Sequence, residues 1–182
     1  MQKPQIVSPE GELTRPAHGL GPIVDGRTRF LVLGTFPALE SLDEGFYYRN
    51  QIKRFWGQAL KAVGEFELLD NDARRKLLLE NKIGLWDIFG CVERNNGNQD
   101  DRIRKAKYND IHGLLEKSTS IQYLIFNGRN AYDWLKEDRL DPFQREMLRT
   151  RRLQSSSGSN GWFNHGVDWF EFFSHVGFKR VR

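Results

Sequence analysis

Three short apolar runs constrain this chain more than any other feature. They are Arg29-Phe-Leu-Val-Leu-Gly34, Ile83-Gly-Leu-Trp-Asp-Ile-Phe89 and Ile121-Gln-Tyr-Leu-Ile-Phe126; the first stops at its glycine and the third at Asn127-Gly128. Runs of this length without polar alternation are strands buried on both faces, the pattern of a parallel sheet covered by helices. Helical patterns separate them. Ile52, Phe55, Trp56, Ala59, Leu60 and Val63 fall at i, i+3, i+4, i+7, i+8 and i+11, one apolar stripe on a helix over residues 50–63. Residues 70–81 read as a second helix with Asp70, Asn71 or Asp72 as N-cap, and Asn109 is placed to cap a third through Leu115. A short helix follows through Ala131, Trp134 and Leu135. Residues 147–153 read as a fourth strand, and residues 167–176 as a final buried helix. The expected fold is therefore three-layer α/β/α around a short, mostly parallel four-stranded sheet. Residues 1–17, with Pro4, Pro9, Gly11 and Pro16, read as a loose N-terminal arm, and residues 18–182 as a single domain.

Composition narrows the function classes. With 38% apolar and 13% aromatic residues over 182 positions, the chain carries a real core and is not disordered over most of its length. No apolar stretch approaches the ~20 residues of a membrane span, and no signal peptide is visible. The single cysteine, Cys91, excludes a disulfide framework and reads as packing. His18, His112, His165 and His175 are widely separated, so no metal site is expected. The expected place is the cytoplasm. A net charge of +4 permits a polyanionic partner without requiring one.

In a sheet of this kind ligands bind beyond the carboxyl ends of the strands. That directs attention to Gly34-Thr-Phe-Pro-Ala38, Asn127-Gly128 and residues 153–160, with a polar loop over residues 93–101 after the second strand. Gly34-Thr-Phe-Pro-Ala38 lacks P-loop spacing; its backbone N–H groups can hold an anion or orient a water, or it is only a tight turn. Gln154-Ser-Ser-Ser-Gly-Ser-Asn-Gly161 has the composition of a flexible linker. Asp87, inside an apolar strand, is expected to accept from backbone donors.

Read in order, several segments carry a resemblance. Gly34-Thr-Phe-Pro-Ala-Leu-Glu-Ser-Leu42, Tyr47-Tyr48 with Phe55-Trp56, Leu85-Trp86-Asp87-Ile88, residues 97–103, Asn109-Asp110, Phe126-Asn127-Gly128 and residues 153–160 resemble the hypoxanthine-DNA glycosylase family within the uracil-DNA glycosylase superfamily. The mismatch-specific uracil glycosylases share the first part. The family pattern reads Gly-Ser-Phe-Pro-Gly-x-x-Ser-Leu, then Tyr-Tyr-x-x-x-x-Asn-x-Phe-Trp, and late Leu-Pro-Ser-Thr-Ser-Pro-Ala-Asn. Phe36 stands where most of the superfamily keeps a water-positioning Asp or Asn. Lys53 stands at the family's catalytic asparagine, with Asn50 three residues earlier. Gln154 and Gly158 replace both prolines of the late motif, which implies a softer loop, and Gly97-Asn98-Gln99-Asp100 stands where the family has Gly-Ser-x-Asp.

The resemblance implies a cofactor-free DNA glycosylase of base-excision repair. It would act as a monomer, in association with the nucleoid, on DNA holding a deaminated base such as hypoxanthine, uracil or xanthine. Asn50, Lys53 and Thr35 become the catalytic candidates; Phe36, Tyr48 and Asn127 the base-binding ones; Arg151, Ser155, Ser157 and Asn160 the DNA contacts. Each has a plainer alternative: core packing for Tyr48, since adjacent Tyr47 and Tyr48 cannot point the same way, and turn formation for Asn127. Lys53 is either an amine nucleophile in an apolar pocket or a solvated lysine beside Arg54. Arg151 and Arg152 either contact phosphate or line a solvated strand edge, and so does the basic cluster Arg102, Arg104, Lys105 and Lys107. Two other functions compete: a catalytically degenerate DNA-binding homologue of the same fold, and an enzyme acting on free nucleosides.

Overall fold

The computed structural model describes residues 6–7, 13–94, 103–135, 140, 147–158, 160–161, 163 and on to 176. Gly97-Asn98-Gln99-Asp100, Arg102, Ser159 and the side chain of Arg104 lie outside the described residues.

The expected central sheet is present. Strands β3 (Phe30–Gly34), β4 (Ile83–Asp87), β7 (Tyr123–Asn127) and β8 (Arg149–Leu153) lie in the order β4-β3-β7-β8, and all three pairings are parallel. All five residues of β3 and of β4 are buried, as uniformly apolar runs require. Alternation along the strands sorts the layers. Phe30 and Tyr123 stack 4.9 Å apart and meet Phe172 and Phe173 of the last helix, α5 (Val167–His175). On the opposite face Phe126 meets Tyr132 of α4 (Arg129–Leu135) at 5.3 Å.

The crossover from β3 to β4 begins with α1 (Leu39–Asp43) and a 3₁₀ turn, Arg49–Gln51, and ends with α2 (Asn71–Glu80). The apolar stripe buries Phe55, Trp56, Ala59, Leu60 and Val63 as expected. The element is not a regular α-helix, however. Ile52–Ala59 is π-helical, and Leu60 N donates to Phe55 O, an i→i+5 bond at 3.1 Å. Asp70 caps α2, its Oδ1 accepting from Ala73 N at 2.8 Å.

Three expectations fail. The run over residues 83–89 is two strands: after Ile88 the chain enters β5 (Phe89–Arg94), which belongs to a second sheet. That sheet is antiparallel, in the order β1 (Ile6–Val7), β2 (Leu13–His18), β5 and β6 (Ile103–Tyr108). The N-terminal segment read as a loose arm over 1–17 therefore supplies two paired strands. Register shifts in the β5–β6 pairing, with Lys105 at φ +41°, erase the alternation that announces a strand. Finally, Asp110 rather than Asn109 caps α3 (Ile111–Lys117), accepting from Gly113 N at 2.9 Å. Asn109 Nδ2 instead donates to Asp87 O at 2.8 Å, tying the two sheets together where β4 ends.

Candidate functional site: a cleft at the strand tips

Parallel pairing brings the ends of β3, β4, β7 and β8 to one edge. A cleft of about 870 Å³ opens there, walled by Gly34 to Ala38, Tyr47, Tyr48, Asn50 and Gln51, by Asp87, Asn127 and Gly128, and by Arg152 to Ser155 with Ser157, Asn160 and Asp168. That volume is ample for one nucleotide. Phe36, 8% exposed, belongs to the wall, with its ring beside Gly19, and the hollow stays open.

The floor is built on Gly34. Register places Asp87 beside it, and a Cβ there would strike Asp87 Oδ1 and lie 2.9 Å from Tyr48 Oη. Only glycine lets these two side chains close over the strand end. Asp87 contributes its side chain to the cleft wall and is 3% exposed.

Tyr47 and Tyr48 diverge because Tyr48 takes a left-handed backbone, φ +55°. Tyr47 Oη donates to Leu20 O and Gly21 O at 3.0 and 2.9 Å. Burial, then the nearby charge of Asp87, push its pKa above the ordinary phenol value. The ring of Tyr48 stacks on Phe55 at 3.7 Å and borders the cleft. It is packed against the core and at the same time forms part of the cleft wall.

The serine-rich segment is not a linker. Its backbone is tied down from three elements. Arg54 Nη1 donates to Ser157 O at 2.6 Å and Asn160 O at 3.0 Å, with its guanidinium over the Phe163 ring. Asp168, at the start of α5, accepts from Gln154 N at 2.5 Å, and Trp169 Nε1 donates to Gln154 O at 2.8 Å. Asn127 holds Ser156 twice: Oδ1 accepts from Ser156 N and Nδ2 donates to Ser156 Oγ, at 2.8 and 2.9 Å. Ser156 Oγ in turn donates to Gln51 Oε1 at 2.5 Å. Gly128, at φ +102°, permits this docking, since a Cβ there would lie 2.6 Å from Ser155 Cβ.

The structure thus gathers Thr35, Phe36, Tyr48, Asn50, Asn127, Ser155, Ser157 and Asn160 around one cleft. Two sequence candidates are not among its walls. Lys53 is exposed, on the side of the π-helix opposite the buried Phe55 and Trp56, so the apolar pocket an amine nucleophile needs is absent there. Arg151 is also exposed outside the cleft wall, whereas Arg152 lines it. Asn127 acts here to fix the loop, with both ends of its amide on Ser156. Gln51, Asp87, Ser156, Asp168 and Arg54 were not foreseen in these places. Asp87 alone left a sequence signal, a carboxylate closing an apolar strand.

An α/β sheet carrying a ring-lined cleft at its strand tips, rimmed by a docked serine loop, is what the resemblance to the uracil-DNA glycosylase superfamily implies. No family model matches the chain. It is 35% identical over 161 residues to a hypoxanthine DNA glycosylase of Methanosarcina acetivorans, covering 86% of this chain and 98% of that protein. It is 32% identical over 144 residues to a hypoxanthine DNA glycosylase of Methanosarcina barkeri, covering 78% of this chain and 87% of that one. Its fold matches a solution NMR structure from Methanosarcina acetivorans, proposed to be a uracil DNA glycosylase, with a TM-score of 0.74 and 31% identity over 89% of this chain and 99% of that one. The chain belongs to the hypoxanthine DNA glycosylase family.

Proposed function

We propose that this protein is a cofactor-free, monomeric DNA glycosylase that excises a deaminated base, hypoxanthine first and uracil or xanthine with it, and that it works on the nucleoid in the cytoplasm. The cleft at the strand tips carries the reading, together with kinship to the hypoxanthine DNA glycosylases. Among the described residues no helix is long and apolar enough to cross a membrane.

A nucleotide rotated out of the duplex costs a few kcal/mol, least for a damaged or mispaired base. The base enters against Tyr48, with the backbone N–H groups of Thr35 and Phe36 at its edge. Its sugar stays at the mouth, where Asn50 is the exposed polar side chain of the Tyr48–π-helix segment on the cleft wall. The glycosidic bond loosens toward an oxocarbenium-like sugar, N–H groups stabilise the departing base, and water completes the hydrolysis. Position favours Asn50 over Lys53 for orienting that water. Arg152, Ser155, Ser157 and Asn160 suit phosphate contacts beside the mouth, with Arg151 farther along the same strand.

A second reading keeps DNA binding without hydrolysis. Phe36, whose side chain neither donates nor accepts, at the water-positioning place and Lys53 outside the cleft favour it. Duplexes carrying uracil, hypoxanthine or xanthine, incubated with the protein and treated with alkali, separate the two. We expect strand breaks at hypoxanthine. Salt-dependent retention without breaks selects the binder, and hydrolysis of free nucleosides without DNA affinity overturns both.

A further inference from the structure

Two segments meet on one side of the cleft. One is the turn Arg49–Gln51, which carries Asn50; the other is the serine loop, whose Ser155 and Ser157 stand on the wall. The turn is short and irregular, set between the left-handed Tyr48 and the π-helix. Side chains from elsewhere hold both its ends. Ser41 Oγ accepts from Arg49 N at 3.0 Å, and Gln51 Oε1 accepts from Ser156 Oγ at 2.5 Å.

The direction of the second bond is fixed by chemistry. Ser156 N–H can only donate, so Asn127 turns Oδ1 toward it and Nδ2 toward Ser156 Oγ. The hydroxyl therefore accepts from Asn127, and its single proton goes to Gln51 Oε1. The series runs one way, from the tip of β7 through the loop to the residue after Asn50. Ser156 is fully buried, so these bonds are shielded from water and are stronger for it. Arg54 also joins the π-helix to the loop, but through the carbonyls of Ser157 and Asn160, four residues past Asn50.

We propose that Gln51 is a positioning residue for base release. Through Ser156 it locks the turn bearing Asn50 to the serine loop, so that the loop gripping the DNA backbone also sets where Asn50 stands. This rests on the base-excision reading above. A displacement of about 1 Å at such a group costs on the order of 100-fold in rate.

The test uses Gln51→Met, which keeps length without the amide, Ser156→Ala, which keeps the bond from Ser156 N to Asn127, and the double variant. Single-turnover release of hypoxanthine from a duplex should fall about 10- to 100-fold in each single variant. Affinity for undamaged duplex should stay within about threefold, because the loop keeps its other ties. The double variant should be no slower than the slower single one, within about threefold, since both changes remove one interaction. Ser156→Thr, which keeps the hydroxyl, should recover most of the rate. Losses that multiply in the double variant overturn the proposal, as does a wild-type rate in Gln51→Met. Duplex binding that weakens in step with release marks a merely structural role and overturns it too. Circular dichroism checks folding, and Gln51→Met, at a half-buried position, carries the test alone should Ser156→Ala not fold. If wild type releases no base, the glycosylase reading falls separately, and amide exchange decides for the lock. Ser156→Ala should quicken exchange over residues 49–52, and Gln51→Met over residues 155–157, each about two- to tenfold; unchanged exchange in both overturns it.

Discussion

At Tyr48 the chain accepts a left-handed backbone, φ +55°, at a residue with a bulky side chain. Such strain costs about 1–2 kcal/mol and persists where the surroundings enforce it. Here the 3.7 Å stack on Phe55 holds the ring at the cleft wall. If the exposed side of that ring receives the base, Tyr48→Ala should lower kcat/KM for base release about 10- to 100-fold, given the usual worth of base–aromatic stacking, while affinity for undamaged duplex changes by less than about threefold. Equal losses in the two assays would count against stacking. Its neighbour Tyr47 makes a different prediction. Its buried phenol, near Asp87, stays neutral in the folded protein at pH values where the unfolded chain, with a tyrosine pKa near 10, already ionises. Its contribution to stability is therefore complete below about pH 10 and falls as pH rises beyond it. Tyr47→Phe should lose about 1–2 kcal/mol at neutral pH with its two hydrogen bonds, and should lose less than wild type does on going to alkaline pH. Urea denaturation as a function of pH measures both; a wild-type-minus-variant difference that is constant through the alkaline range refutes the assignment.

Among the elements, the serine-rich loop departs furthest from its composition. Ser, Gly and Asn suggest a linker because their side chains specify no packing of their own. Yet its backbone carbonyls and amides are claimed by Arg54, Asp168, Trp169 and Asn127. Those partners lie 14 to more than 100 residues away, beyond any local pattern. Arg54→Ala leaves two carbonyls without their charged donor, so we expect about 2 kcal/mol of lost stability. Amide exchange over residues 155–160 should quicken, and affinity for DNA should fall; unchanged exchange there would show that Arg54 does not hold the loop. The π-helix was illegible for a related reason. The stripe from Ile52 to Val63 records which residues are apolar, and both an α- and a π-helical path bury Phe55, Trp56, Ala59 and Leu60. The π-helix begins directly after Tyr48 and Gln51, whose side chains meet Phe55 and Ser156.

For the whole molecule, a net charge of +4 is too small to make DNA binding unconditional. Affinity should therefore fall linearly on a logarithmic salt scale, and Arg152→Ala should reduce the steepness by about one unit while leaving base preference unchanged. Titrations at several salt concentrations measure this; a slope equal to that of wild type would remove Arg152 from the phosphate path.

The sequence by itself determined the four parallel strands, their alternation with helices, the tip at which the cleft opens, and the family motifs gathered there. Those are properties of apolar runs and short spacings, which side-chain periodicity records locally. Only the tertiary structure decided that β2 and β1 extend an antiparallel sheet, that Asn127 holds Ser156, that Lys53 faces solvent, and that Asp87 lies over Gly34. Each depends on register or loop docking between distant segments. Their free energy comes from contacts that exist only once the chain has closed on itself.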